Sequence, residues 1–178
     1  FEERGWQGGF IKPLIGATAR GTLRFRADTV GLKAAQRHLD ELVGVCGVMV
    51  QPYLHSVEVE GEYSAIIIDG EVTHMVRKVP VPGDYRVQDD HGATDEPTVL
   101  EASDLAMCKQ ICATVQQHAL WHDDPTRPLL YARVDLLRNL DGQLVLNELE
   151  LIEPSLFLRH GRHAAGRLVD ALIHRLSN

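Results

Sequence analysis

The sequence has no apolar run near the ~18 residues that a membrane-spanning helix needs, and nothing in it has the pattern of a signal peptide. Nor is there an excess of positive charge. A formal net charge of −7 excludes a dedicated nucleic-acid surface, so any basic residue that matters must act locally. Cysteine is scarce and odd in number: Cys46, Cys108 and Cys112 have the spacing of neither a zinc ribbon nor a disulfide scaffold. Reduced thiols in a cytoplasmic protein are the expectation, with Cys108 and Cys112, four apart in a helical pattern, packing in a core. No internal repeat, low-complexity tract or Walker motif stands out. The chain also opens on FEERGWQGGF without a Met, as a fragment or the ordered part of something longer would. What is present, 44% hydrophobic and 24% charged residues over 178 positions, is the composition of an ordinary soluble globular protein. That length suffices for one large domain or two small lobes.

Hydrophobic periodicity and turn residues give an alternation of strands and helices. GGFIKPL (8–14) reads as a strand, followed by the Gly/Thr-rich turn GATARGT (16–22) and a second strand at Leu23 to Arg26. Asp28 caps a helix whose face carries Leu32, Ala35, Leu39 and Leu42. VMVQPYL (48–54) is a strand stopped by Pro52. Asp69-Gly70, a strong hairpin signal, joins EYSAIIID to EVTHMVRKV. The segment from Pro80 to Pro97 is a long polar loop, either functional or mobile. A helix from Thr98 to Leu120 presents Leu105, Cys108, Ile111, Cys112 and Val115. A second hairpin, YARVDLLRN and QLVLNELELI, turns at Asp141-Gly142, and a helix from Arg162 to Leu176 closes the chain.

LVLNELELIEP (144–154) sets Glu148, Glu150 and Glu153 in what otherwise reads as a buried strand, where an ionised carboxylate needs a partner. A two-residue turn at Asp141-Gly142 brings Asp135 opposite Glu148 and Arg133 opposite Glu150, all on one face with Leu137 and Leu146. Opposed carboxylates repel, so something positive belongs between Asp135 and Glu148. Hard oxygen donors at cross-strand separation suit Mg²⁺, which takes one or two carboxylates and is completed by water and phosphate oxygens. A solvent-facing sheet balanced by Arg133 is the alternative.

A nucleotide that supplied those phosphates would need a cradle. In GATARGT the small residues Gly16, Ala17, Thr18, Gly21 and Thr22 let backbone N–H groups and two hydroxyls approach an anion, although a plain surface loop is the commoner meaning of such a segment. Lys12, interrupting Phe10, Ile11, Pro13 and Leu14, suits a phosphate as a point charge or else snorkels at the surface. In the first hairpin the Asp69-Gly70 turn sets Glu62 opposite Arg77 as a cross-strand ion pair, with Lys78 on the other face. GDYRVQDDHG then offers Arg86 for bidentate grip on a phosphate or carboxylate.

Taken in order, FIKP, GATARGT, VMVQPYL, GEYSAIIIDGEVTHMVRKVP, GDYRVQDDHG, YARVDLL and LNELELIEPSLF resemble the nucleotide-binding half of the ATP-grasp superfamily over nearly the whole chain. Within it the likeness is to the cyclo-ligase group of D-cycloserine biosynthesis, and more distantly to ribosomal-protein glutamate ligases and glutathione synthetases. The resemblance implies an α+β ATP-grasp fold of two lobes with mainly antiparallel sheets clasping ATP, residues 1–50 forming the small lobe and 51–178 the large one. It implies Lys12 on the α- or β-phosphate and GATARGT as the mobile flap above. Gln51, Pro52, Tyr53 and Leu54 become the hinge that reads adenine, and Glu60 or Glu62 holds the ribose. Arg77 or Lys78, with Arg86, stabilises charge on the transferred phosphoryl group. Asp135, Glu148 and Glu150 bind two Mg²⁺ ions, with Mn²⁺ as a substitute, while Glu153 lies past the ligand pair. Many relatives carry Asn where this chain has Glu150. The family usually adds an N-terminal substrate domain of roughly a hundred residues, a typical domain length, which is expected to be absent from these residues.

The implied activity is an ATP-dependent ligase of the carboxylate–amine or thiol type, forming an amide or ring through an acyl phosphate and releasing ADP and phosphate. Its substrate would be a small molecule with a carboxylate, an amino acid or a derivative, with no nucleic-acid or membrane partner and with a homodimer left open. A catalytically inactive nucleotide-binding or regulatory module is the alternative.

Overall fold

The structure, a computed structural model, describes residues 2–16, 19–87, 91–118, 124 and 126–177. Ala17 and Thr18 of the expected flap, and the expected helix end at 119–120, lie outside the described residues. The chain divides into two units, Phe1–His55 and Ser56–Asn178.

In the first unit, strand β1 (Gly8–Pro13) lies between β2 (Leu23–Arg26) and β3 (Val48–Pro52) in an antiparallel sheet. Helix α1 (Thr29–Val43) begins where Asp28 Oδ1 accepts the Gly31 N–H at 2.8 Å, satisfying one of the free amides of the first turn. Alternation along β1 sends Ile11 inward to Phe25 and Ala35, with Leu23, Leu39, Leu42 and Val48 packed around them. Lys12 therefore points to the opposite face, half-buried and paired with Met49. Gln51 to Leu54 belong to this unit, Gln51 pairing with Phe10 and Pro52 with Gly9.

The second unit opens with a single helical turn, α2 (Ser56–Val59), and is built on a five-stranded antiparallel sheet. Its strands are β4 (Glu62–Ile68), β5 (Glu71–Val79), β6 (Thr94–Pro97), β7 (Tyr131–Arg138) and β8 (Leu144–Glu150), arranged β6-β5-β4-β7-β8. Both faces are covered, which is why β4 reads as the unbroken apolar run AIII rather than an alternation. On one face Ala65, Ile67, Ala132, Val134 and Leu136 pack under α3 (Ala102–Gln116), with Cys108 and Cys112 inside that core as free thiols. On the other, Ile66, Ile68 and Val76 meet Phe157 and Ala164, the latter from α4 (Ala164–Leu176).

Two expectations change. The polar loop from Pro80 to Pro97 ends in an edge strand, β6, whose Asp95 is gripped by Arg159 and His160. Helix α3 starts four residues later than the periodicity suggests, because the Thr98 N–H still donates to Met75 O, prolonging the sheet.

Candidate metal centre

The centre grows from two strand irregularities. Asp69 (φ 51) and Gly70 (φ 75) form a two-residue turn with both central residues left-handed, and Ile68 pairs with Glu71 as expected. Between Ile66 and Ile67 the register shifts, and Thr73 is the extra residue. A bulge of this kind re-aims everything beyond it. Lys78, not Arg77, therefore stands opposite Glu62, while Arg77 pairs with Tyr63 and Glu96. This overturns the expected Glu62–Arg77 pair: Arg77 bonds Glu96 at the exposed edge, and Lys78 turns inward to bond Glu62 and approach Asp135 at 3.4 Å. Gly61, just before β4, allows this approach; at φ +84 a Cβ there would lie 2.2 Å from Lys78 O.

The second hairpin reaches the expected pairs by another route. Asp141-Gly142 is not a two-residue turn. Arg138 pairs with Leu144 around a loop in which the Asn139 side-chain oxygen accepts the amides of Asp141 and Gln143 at 3.0 and 2.9 Å. That register alone would pair Leu136 with Leu146 and face Asp135 with Asn147. A bulge between Asp135 and Leu136 restores Asp135 opposite Glu148 and Arg133 opposite Glu150. Leu146 consequently leaves the carboxylate face, 47% exposed. The bulged Asn147 donates to Glu62 Oε1 at 2.6 Å.

The result is a buried ionic lattice. Asp135 is fully enclosed, and Glu62, Lys78 and Arg133 are nearly so. Asp135 Oδ1 accepts from Ser64 Oγ at 2.5 Å and Arg133 Nε at 3.0 Å, and Oδ2 from Arg133 Nη2 at 2.9 Å. Arg133 Nη2 also bonds Glu150. Burial opposes ionisation of Asp135, but Lys78 and Arg133 outweigh it and hold the carboxyl below the usual range. Burial likewise works against the Lys78 ammonium, yet Glu62 and Asp135 raise its affinity for the proton. For Glu62 burial wins and its pKa rises, with Lys78 opposing and Asp135 adding to the shift. Glu150 is also raised, first by burial and against the pull of Arg133.

Carboxylate oxygens of Asp135, Glu148 and Glu150 come within 4.8 Å of one another. Three hard donors, of which Glu148 is exposed, fit a divalent cation such as Mg²⁺. Other expected site residues stand elsewhere. Arg86 lies in the loop after β5 with Nη2 on Asp84 Oδ2 at 2.7 Å, and this bond, with the Arg86 and Tyr85 amides, holds the Asp84 carboxyl well below its usual range. Glu60 pairs with Arg138 Nε at 2.8 Å, on the surface, whereas Glu62 is internal. In the first unit Gly16 is exposed, Gly21 is left-handed at φ +72, and the Thr22 hydroxyl donates to Ala19 O at 2.8 Å. The Tyr53 hydroxyl accepts from Arg24 at 3.1 Å, and Leu54 is half-buried. Glu153 is exposed in a left-handed conformation (φ 56). Asn147 and Ser64 were not among the expected site residues; an Asn interrupting an apolar strand is the signal for the first, and nothing in the sequence marks the second.

A sheet of this order carrying acids on its paired β7 and β8 strands, with a smaller three-stranded α/β unit preceding it, is the ATP-grasp fold. The crystal structure of the D-cycloserine synthetase DcsG superposes with a TM-score of 0.83 at 26% identity, covering 98% of this chain and 58% of that one. Residues 5–122 match the family model of the prokaryotic glutathione synthetase ATP-grasp domain, and the chain belongs to that family. Among curated relatives, the cycloserine biosynthesis protein DcsG of Streptomyces lavendulae is 31% identical over 170 residues, covering 93% of this chain and 54% of the relative. A glutathione synthetase of Prochlorococcus marinus (strain MIT 9313) is 27% identical over 166 residues, covering 93% and 49%. The chain thus spans about half the length of these relatives. The family match ends before β7, whereas both relatives align over 93% of the chain.

Proposed function

We propose that this chain is the nucleotide- and Mg²⁺-binding part of an ATP-dependent ligase that joins a carboxylate to an amine and releases ADP and phosphate. The observation that carries the reading is the Asp135–Glu148–Glu150 trio on paired strands of an ATP-grasp sheet. Mg²⁺ held there would supply positive charge to the phosphate oxygens as the phosphoryl group moves. Lys12, the amides around Gly16 and Gly21 and the Thr22 hydroxyl bind phosphates. The strand end from Gln51 to Leu54 reads the adenine. Glu60 takes the ribose, since its carboxylate is partly exposed whereas Glu62 is enclosed with Lys78 and Asn147.

The substrate carboxylate oxygen attacks the γ-phosphorus, an O–P bond forms, and the bond to the β-phosphate oxygen breaks to release ADP. The amine then attacks the acyl carbon, the C–O bond to phosphate breaks, and the nitrogen loses its proton. Lys78, which approaches Asp135 at 3.4 Å, and Arg86, once it releases Asp84, answer the charge that develops on the moving phosphoryl group; Arg77, on the face of β5 opposite to Lys78, takes no part. The small-molecule substrate is an amino acid or a derivative of one.

Titration calorimetry with a non-hydrolysable ATP analogue in Mg²⁺ tests the nucleotide site. Binding that weakens in Asp135→Asn is expected, and equal binding by both proteins removes Asp135 from the site. With ATP and a panel of amino acids, ADP and phosphate should appear. AMP would overturn the chemistry, and binding without any product would leave a nucleotide-binding module.

A further inference from the structure

The Arg133 guanidinium stands where a metal ion would need its ligands. Its Nη2 is shared between Asp135 Oδ2 and Glu150 Oε1, and its Nε spans both Asp135 oxygens at 3.0 and 3.1 Å. With Ser64 on Oδ1 and Lys78 near Oδ2, the lone pairs of Asp135 are fully engaged. Glu150 is the negotiable partner. It is half-buried, with its side chain 31% exposed against 0% for Asp135. A carboxylate there adds a charge that a divalent ion and a guanidinium can both claim.

We infer that Arg133 is a resident counter-cation of the trio: it occupies Glu150 when no metal is bound, and a divalent ion takes Glu150 only by displacing it. The inference rests on the metal reading of Asp135, Glu148 and Glu150. The fold provides for both states of the guanidinium. Its Cζ lies 5.8 Å from the centre of the Phe157 ring, and Nη1 reaches 3.4 Å towards Ser155 O. A guanidinium is held by an aromatic face as well as by a carboxylate. Phe157 is itself fixed: its backbone is left-handed at φ 45, and the His74 ring bonds Phe157 O and Leu156 O at 3.1 and 2.8 Å through Nε2, which therefore donates. Withdrawal of Nη2 frees Asp135 Oδ2 together with Glu150 for the ion, while Arg133 keeps the Phe157 ring, the Ser155 carbonyl and its Nε bond to Asp135 Oδ1, and remains charged beside the metal. The consequence is a raised threshold for metal binding. The ion must outbid an internal cation, so metal arriving with a polyphosphate is favoured over metal alone.

The test is a Mn²⁺ titration of the chain without nucleotide, with free Mn²⁺ counted by electron paramagnetic resonance. In Arg133→Lys the ammonium keeps a positive charge for Asp135 but is too short and too compact to bridge to Glu150. The variant is expected to bind Mn²⁺ about tenfold more tightly, the factor that corresponds to about 1.4 kcal/mol of competition removed. Unchanged or weaker binding overturns the inference. Asp135→Asn, run alongside, separates the two ideas. If wild type binds Mn²⁺ no better than Asp135→Asn, the metal reading fails and the inference falls with it. If wild type binds and only Arg133→Lys is unaffected, the inference alone fails. Should Arg133→Lys not fold, nitrogen-15 spectra of the wild-type guanidinium decide. Rotation about the Arg133 Nε–Cζ bond should be hindered without metal and faster with saturating Mg²⁺, and hindrance that Mg²⁺ leaves unchanged refutes the displacement.

Discussion

Lys78 and Arg77 are neighbours in sequence, carry the same charge and each pair with a glutamate, yet their removal should differ several-fold in cost. The Lys78–Glu62 side chains are 9% and 4% exposed, and those of Arg77 and Glu96 are 37% and 52%. Breaking a buried pair by deleting one partner strands the other charge and costs about 3–5 kcal/mol. An exposed pair contributes roughly 0.2–1 kcal/mol. Lys78→Met should therefore lower the unfolding free energy by about 3 kcal/mol or more, over a hundredfold in the folding equilibrium, with Arg77→Met below about 1 kcal/mol. The stranded group is Glu62, because Asp135 keeps Arg133 and Ser64. Burial already raises the Glu62 pKa, so its ionisation costs stability in full above that raised value. The cost shrinks as pH falls below it and is gone below the ordinary glutamate value of about 4.3. Mild acid should restore part of the Lys78→Met loss, and Lys78→Met with Glu62→Gln should restore more. Urea unfolding at pH 7 and pH 5 measures all of this. A Lys78→Met protein as stable as Arg77→Met, or one that Glu62→Gln fails to rescue, would refute the placement of Lys78.

The buried thiols give a second check: burial pushes Cys108 up to about 12 and Cys112 to about 11. A thiol reagent at pH 8 should label Cys46 in the native protein and reach the other two only after unfolding; rapid labelling of all three would contradict the core assignment. Above about pH 9 the unfolded thiols ionise first, so stability should fall as pH rises, by up to about 1.4 kcal/mol per unit for each. Asp95 behaves oppositely: burial works against its charge, but Arg159 and His160 prevail and lower its pKa. Its contribution is present above the ordinary aspartate value of about 3.9 and is lost as pH falls through the lower folded value. Asp95→Asn should flatten the acid limb of stability below about pH 4, and an unchanged limb would show that the Arg159–His160 clamp is not formed in solution. Lys12→Ala, off the core face, should change stability by less than about 0.5 kcal/mol while weakening nucleotide binding; normal affinity would take Lys12 out of the site.

The elements were legible because each announces itself locally. Asp28 caps α1, Asp69-Gly70 turns the first hairpin, and the AIII run belongs to a strand covered on both faces. The edge strand β6 was not, since TDEP has neither alternation nor β-branched residues beyond Thr94, and its partner Arg159 is 64 residues away. The decisive misreading concerned register. Counting outward from a turn assumes an unbroken ladder, and both central hairpins break it with one extra residue.

At Thr73 the break changes which cation meets Glu62. At Asn147 it offsets a longer turn, so the expected pairs emerged from a wrong turn and an unseen bulge that compensate. Both bulges have a physical reason that only the assembled sheet displays. Without the first, Glu62 would face Arg77 and Lys78 would turn away from the carboxylates. Without the second, Asp135 would face a neutral amide, and Glu148 and Glu150 would lie on the α3 face, where the core is apolar. A side-chain period of two means that a single inserted residue moves a whole set of charges across a sheet. The ionic lattice is therefore specified jointly by its charged residues and by Thr73 and Asn147, whose positions in their strands decide which face those charges share.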